Sequence, residues 1–341
     1  MATRSARRRA RAGIVAVASL LMYFICVTVR RYPGYSAQRV GQAATRPWVF
    51  AGSTAASFGY MHLEVNGQLW NFRHTSSYPS PSSSPSSTLS SKEPGVSIVV
   101  DPLVGTLDFS LPQGFYSARP RILRNEQETI DRIVQQKPIG ILLTQALDDH
   151  THLPTLKLLK KRLFQNNPSP PIIIAPPSAK SRLLEVFNET ELCILRPGTS
   201  VGLGPLLIRA TPGSLVGPPW QDPENGYIVK WEGPSVYYEP HNDVDLDSKL
   251  LQGMEADIVI VPTKRQELPF LTLVHGEERA MALARHLKAR HLIPLRNGEI
   301  EASGVLSSLV SSSTEGAGVA IFEQSGISIV ENEPGKLVEI C

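Results

Sequence analysis

Acidic residues are missing from the first 63 positions. The first is Glu64, and nine arginines precede it: Arg4, Arg7, Arg8, Arg9, Arg11, Arg30, Arg31, Arg39 and Arg46. The formal net charge of +3 therefore resides in this leader and the remainder is acidic, so the total is no footprint of nucleic-acid binding. Cysteine is scarce: Cys26, Cys193 and Cys341 form no C-x-x-C pair. A disulfide-stapled scaffold and a cysteine-based zinc finger are thereby excluded. No fixed-period repeat occurs, which excludes solenoids and propellers. What is present, 42% apolar and 19% charged residues in 341, is enough for a real core and too apolar for wholesale disorder. The length suits two domain-equivalents, or one large α/β domain with a tail.

Gly13–Val29 reads GIVAVASLLMYFICVTV, 17 uncharged residues closed by Arg30 and Arg31. That length lies at the lower edge of a bilayer span. The Arg/Ser/Ala bias without acids suggests an organelle transit peptide. Retention as a single-pass anchor, with arginines snorkelling at both ends, is the alternative. Residues 1–57 are accordingly expected to be a targeting or anchoring segment, and 58–341 the folded domain.

Thr75–Lys92 (TSSYPSPSSSPSSTLSSK) is a Ser/Pro tract expected to be a disordered insert at the tip of a hairpin. Its arms are the strand-like Tyr60–Phe72 and Val96–Val100. Apolar runs then alternate with amphipathic segments: strand Ile139–Leu143, helix Leu153–Phe164 with Pro154 in its first turn, strand Ile172–Ala175, and a short helix over Ala179–Phe187. Leu192–Leu195, Leu206–Ala210, Tyr227–Trp231 and Val236–Tyr238 are spaced as antiparallel sheet would be. Ile258–Val261, helix Glu277–Lys288 and His291–Pro294 restore a β-α-β rhythm, followed by a helix from Gly304 to Ser311 and a last strand near Ile327–Val330. This is an α/β layered fold.

The stretch that carries chemistry follows a buried strand: Ile141-Leu142-Leu143-Thr144-Gln145-Ala146-Leu147-Asp148-Asp149-His150-Thr151-His152-Leu153. A strand end bearing an acid and a histidine projects both into a crevice, a usual place for metal chemistry. Here the sequence resembles the metallo-β-lactamase superfamily, whose signature is T-H-x-H-x-D-H. Thr144, Asp149 and His150 match it, while Gln145 and Leu147 stand where the two H-x-H histidines belong. Val96–Asp101 with Pro102, and Leu153-Pro154-Thr155-Leu156, resemble the elements on either side of the metal loop. Gly217-Pro218-Pro219-Trp220, Glu224-Asn225-Gly226-Tyr227, Tyr237-Tyr238-Glu239-Pro240-His241 and Ile293–Glu299 are similar to a plant and algal, mostly plastid, branch related to the lactonase-like members. That branch carries a Q-S-L-D-D-H-like motif, as Gln145–His150 does. The resemblance runs from Tyr60 to Leu309 without the insert. It implies a four-layer αββα sandwich.

A full site in this superfamily holds two metals, with four or so ligands to each zinc and a bridging water that attacks an ester-like bond. In this chain Gln145 is a poor ligand and Leu147 none. The next histidine, expected around Thr211–Ser214, is missing. The last falls at or near Arg296, which cannot ligate and repels a dication. The resemblance leaves Asp149, His150 and one of His241 or Glu239, enough for at most one divalent ion (zinc, iron or manganese), or none. Asp149 and His150 are read as the catalytic pair, and with His241 as the metal set. Arg296 and Glu239 are read as substrate-binding, the Arg296 fork suiting a carboxylate or phosphate. The blander readings stay open: Asp149–His150 as a pair capping the helix that begins near Leu153, and Arg296 as an ion pair holding a strand end. Asp148 is expected in a loop or capping role. His152 is expected at the surface or the helix start, and His62, His74, His275, His286 and His291 facing solvent. Of Tyr237 and Tyr238, one faces the pocket.

Two functions follow. One is a hydrolase of an ester-, lactone- or phosphoester-like bond in a small molecule, with a reduced metal site. The other is a catalytically inactive ligand-binding or scaffold protein of the same fold, with a membrane tether through 13–29 open to either. No nucleic-acid partner is expected, and the location expected is the plastid.

Overall fold

The computed structural model describes residues 55–75, 95–214, 224–269, 271–313 and 325–341. The apolar run 13–29, nearly all of the Ser/Pro tract and Gly217–Trp220 lie outside them. Among the described residues no helix is long and apolar enough to cross a membrane.

In chain order the first half comprises β1 (Ala55–His62), β2 (Gln68–Thr75), β3 (Val96–Val100), β4 (Ser117–Pro120), α1 (Glu126–Gln135), β5 (Gly140–Leu142), α2 (Leu153–Leu163), β6 (Ile172–Ala175), α3 (Lys180–Leu183) and β7 (Leu192–Ile194). The second half adds β8 (Ser200–Leu203), β9 (Leu206–Pro212), β10 (Asn225–Lys230), β11 (Val236–Tyr238), β12 (Ile258–Pro262), β13 (Arg265–Leu268), β14 (Leu271–Val274), α4 (Glu277–His286), β15 (His291–Leu295), β16 (Ile300–Ser303), β17 (Ser311–Ser313), β18 (Ser328–Ile329) and β19 (Leu337–Ile340). Two seven-stranded sheets result, ordered β19-β1-β2-β3-β5-β6-β7 and β18-β15-β12-β11-β10-β9-β8.

These strands read as continuous apolar runs because both faces of each sheet are covered. Ile98 and Val100 of β3 face Ile258, Ile260 and Ile293 across the inter-sheet core, which also holds Phe58, Trp70, Tyr227 and Tyr238. The alternate residues point outward. Val99, Ile141 and Ile173 meet Ile130 and Ile133 of α1 and Leu156, Leu159 and Leu163 of α2. On the far side, Val259, Val261 and Leu292 meet Ala280, Met281, Leu283 and Ala284 of α4. This is the four-layer αββα sandwich that the resemblance implies.

Several boundaries differ from expectation. Tyr60–Phe72 is two antiparallel strands joined by a turn that Leu63 N–H closes on Gly67 O at 2.8 Å. The β2–β3 pairing is the expected hairpin. Leu192–Leu195 is not antiparallel: β7 runs parallel to β6 and closes the first sheet, and the antiparallel set is β8–β11. The helix within Ala179–Phe187 is one turn, Lys180–Leu183. Gly304–Ser311 contains only a 3-10 turn, Ser307–Leu309, before β17. Its serines pack against little, so nothing rewards a longer helix there.

His62 is the clearest correction among the histidines. It is fully buried, with Nε2–H donating to Val65 O at 3.2 Å. Burial drives its pKa down to about 4. Folded His62 is neutral, whereas the unfolded chain takes up a proton below its ordinary value of about 6.5. Its contribution to stability is thus complete above pH 6.5 and lost as pH falls toward 4, by about 3 kcal/mol in full. Urea unfolding at pH 7.5 and 4.5 should show a smaller acid-induced loss for His62→Gln than for the wild type. Parallel losses in the two proteins would remove His62 from the account.

Candidate functional site

The crossover connections place the C-terminal ends of β3, β5, β11, β12 and β15 at one end of the sandwich. From β3 comes Asp101, fully buried and at φ +40°, a backbone conformation that a residue without glycine's freedom adopts only under restraint. Four donors supply that restraint. Thr144 gives its N–H to Oδ1 at 2.8 Å and its hydroxyl to Oδ2 at 2.6 Å. His150 Nδ1 and the Tyr238 hydroxyl both reach Oδ2 at 2.9 Å. Asp101 thus ties the first sheet to the second and fixes the His150 ring.

With Nδ1–H on Asp101, His150 turns Nε2 toward the centre, 3.3 Å from Asp149 Oδ2 and 3.0 Å from Asn66 Nδ2. Asn66 also donates to the Asp149 carbonyl at 3.2 Å. From the second sheet, His241 brings its ring to a centroid distance of 5.3 Å from that of His150. Its Nδ1 bonds Glu224 Oε2 at 2.8 Å, leaving Nε2 for the centre. Ligating atoms of Asp149, His150 and His241 lie within 4.8 Å of one another. A carboxylate behind each imidazole is the arrangement that orients metal-binding histidines and fixes their tautomer.

The electrostatics follow from burial and pairing. Burial opposes charge on His150, but Asp149 and Asp101 outweigh it and lift its pKa well above the ordinary range. Burial likewise opposes ionisation of Asp149, which the charge and hydrogen bond of His150 overcome, holding it below the usual value. His241 is raised against its own burial by Glu224. Glu224 is pushed up to about 6, by burial, with His241 acting in the opposite direction.

Several buried polar atoms around this centre have no hydrogen-bond partner: both amide atoms of Gln145, Asp149 Oδ1, Glu224 Oε1 and Asn66 Oδ1. Buried polar groups are normally satisfied, so the unpaired atoms of Asp149, Glu224 and Asn66, residues that touch the two histidines, fit an ion, its water or a polar ligand. The donor set suits one divalent ion of the zinc, iron or manganese type, with two imidazole nitrogens and one carboxylate oxygen. Leu147 offers no donor, and positions 211–214, around which the resemblance expects a further histidine, hold none. A second group, Glu224, Glu239 and His241, is also compact. Its closeness reflects the Glu224–His241 hydrogen bond and the binding of Glu239 by the backbone N–H groups of Ser214, His241 and Asn242. Glu239 therefore organises the loop after β11 and does not join Asp149, His150 and His241.

The structure brings together Asp149, His150 and His241. Arg296 stands apart, forking onto Glu299 at 2.5 and 2.8 Å and donating to Asn332 O at 2.7 Å. Asp149 and His150 do not cap α2. Its N-cap is His152, buried and bonded through Nδ1 to Thr155 Oγ1 at 2.7 Å. Asp148 pairs with Arg182 in the loop. Both Tyr237 and Tyr238 are fully buried, and Tyr238 reaches the site. His275, His286 and His291 are half-buried. Sequence reasoning missed Asp101, Asn66 and Glu224. The Asp–Pro step after VSIVV and the acid opening Glu224-Asn225-Gly226 were the available signals.

A family model described as Beta-lactamase superfamily domain matches residues 84–296. Among solved structures, the chain is similar to a novel metallo hydrolase from the archaeon Ignicoccus hospitalis, at 13% identity, 83% of this chain, 98% of that one and a TM-score of 0.49. It is similar to the metallo-beta-lactamase fold protein YhfI from Bacillus subtilis, at 9% identity over 84% and 100% of the two chains, TM-score 0.49. It is also similar to CmlA, a diiron beta-hydroxylase from Streptomyces venezuelae, at 12% identity, TM-score 0.50, covering 85% of this chain and 54% of that one. Identities this low speak for the fold alone. No curated protein sequence matches significantly.

Proposed function

The chain belongs to the β-lactamase superfamily, and from that premise we propose that it is a metal-assisted hydrolase with a single-ion centre, acting on an ester-, lactone- or phosphoester-like bond of a small molecule. The observation that carries this reading is the convergence of Asp149, His150 and His241, with Asp101 and Glu224 bonded behind the two imidazoles. Asp149 Oδ, His150 Nε2 and His241 Nε2 would hold the ion. When bound, such an ion polarises the scissile group and lowers the pKa of a bound water. The chain's own contribution is positional. Asp101 and Glu224 keep both rings in the Nδ1–H form, and Thr144 and Tyr238 keep Asp101 in place. The unpaired amide of Gln145 offers a donor and an acceptor to a substrate where the superfamily has a ligand.

The measurement that tests this is elemental analysis of the full chain beside an Asp149→Ala/His150→Ala double variant, with hydrolysis assayed on ester, lactone and phosphoester panels. The expected result is about one ion per chain, lost in the variant together with activity. Folded wild-type protein that takes up no zinc, iron or manganese would overturn it.

A second reading is a metal-free ligand-binding protein. The observation favouring it is that Asn66 Nδ2 lies 3.0 Å from His150 Nε2, so the ring is satisfied by the protein itself. Metal content separates the two. The plastid location and the anchor at 13–29 rest on the arginine-rich leader and the apolar run. Sequencing the mature N-terminus separates cleavage from retention.

A further inference from the structure

We propose that the depression beside the β1–β2 turn is a binding site for a phosphate monoester group or inorganic phosphate, presented with Arg121, Arg124 and His62. Its volume is about 290 Å³, and Arg121, Arg124, Arg296, Glu64, Glu299 and His62 are among the residues that line it. Both acids are already committed. Glu64, buried, accepts backbone N–H bonds from Arg121 at 2.8 Å, Ile122 at 3.0 and 3.1 Å and Leu123 at 2.6 Å. Glu299 is shared between Arg296 and Lys264, the latter at 2.7 Å. The cationic side is less committed. Arg121 is exposed and its guanidinium makes no hydrogen bond among the described residues; it shares the charge of Glu301 with Arg119 and with Arg124, which meets that carboxylate at 3.3 Å.

The site is built, not incidental. Glu64 and Val65 both hold positive φ, +65° and +51°, a conformation that costs free energy in non-glycine residues. The cost is offset by the carboxylate's grip on residues 121–123, which fixes the segment presenting the two arginines. Arg124 Nε adds a bond to Arg121 O at 3.0 Å. The backbone that presents the two arginines is fixed, and guanidinium forks match tetrahedral oxyanions. His62 selects among oxyanions. Its Nε2–H is used on Val65 O, so its buried, unpartnered Nδ1 carries a lone pair. Hydrogen phosphate, or the monoanion of a phosphate monoester, can donate its P–OH there, which a carboxylate or a phosphodiester cannot.

This site is independent of the metal centre and is tested separately from it. Inorganic phosphate titrated calorimetrically into the full chain at low ionic strength, pH 7, should bind saturably. Arg121→Ala should weaken binding at least tenfold and Arg121→Ala/Arg124→Ala should abolish it. The single variant decides the matter if the double variant does not fold. Asp149→Ala/His150→Ala should bind phosphate as the wild type does. No saturable binding, equal binding by the arginine variants, succinate binding as tightly as phosphate, or loss of binding in Asp149→Ala/His150→Ala would each overturn the proposal.

Discussion

Asp101→Ala is expected to destabilise the protein by about 3–5 kcal/mol, the range for removing one partner from a buried charged pair. The carboxylate accepts from two groups of Thr144, from His150 and from Tyr238, all of them buried. Without it, three side chains and a backbone amide lose a common acceptor in a place water does not reach, and each unsatisfied group carries its own penalty. The melting temperature should fall on the order of 10 °C for a domain of this size. Asp101→Asn preserves the shape and one acceptor oxygen, and should fall less. In the metal-assisted reading the same change releases the His150 ring, and ion affinity should drop about 10- to 100-fold. Chemical unfolding and metal titration of the two variants check both parts. A loss below about 1 kcal/mol in Asp101→Ala would show that Asp101 is not the pin between the sheets.

Trp70→Ala should cost about as much, 3–5 kcal/mol being usual for a large buried aromatic. Trp70 is fully buried between the sheets, with Phe58 at 5.8 Å, Tyr238 at 6.0 Å and Phe72 at 6.5 Å between ring centroids, each close to edge-on. Its indole N–H donates to Gln68 Oε1 at 2.9 Å, so truncation opens a cavity and orphans a buried acceptor. Tyr238, whose hydroxyl serves Asp101, would lose the wall it leans on. Urea unfolding should show a lower midpoint with an unchanged slope, because the exposed area on unfolding is the same. Trp70→Phe should recover part of the loss. A midpoint near that of the wild type would mean that the sandwich closes over the gap.

The strands with both faces buried were legible because double burial writes an unbroken apolar run: Val96–Val100, Ile139–Leu143, Ile172–Ala175 and Ile258–Val261 all fall on observed strands. Strands with exposed or polar faces were not legible. β13 (Arg265–Leu268), β16 (Ile300–Ser303) and β17 (Ser311–Ser313) are partly or wholly exposed and carry no apolar pattern. The helix α1 was missed although its signals are present. Asn125 caps it, accepting from Glu128 N–H at 3.1 Å, acids occupy its first turn, and Ile130 and Ile133 form its buried stripe.

In the site, the acid–histidine pair Asp149–His150 stands adjacent in the chain and announced itself as a motif. Its supports did not. Asp101 meets His150 across a separation of 49 positions, Asn66 across 84, and Glu224 meets His241 across 17. The sequence alone determined the layered α/β architecture, through runs whose apolarity is dictated by burial. Only the tertiary structure decided which survivors meet. Asp149 and His150 come from a loop of the first sheet and His241 from the end of a strand in the second, so their convergence depends on how two sheets stack. It likewise decided that Glu239 serves the backbone and that Arg296 faces a different depression. The reason is physical: a side chain's role is set by the groups that replace its water, and those groups come from strands far apart in the chain.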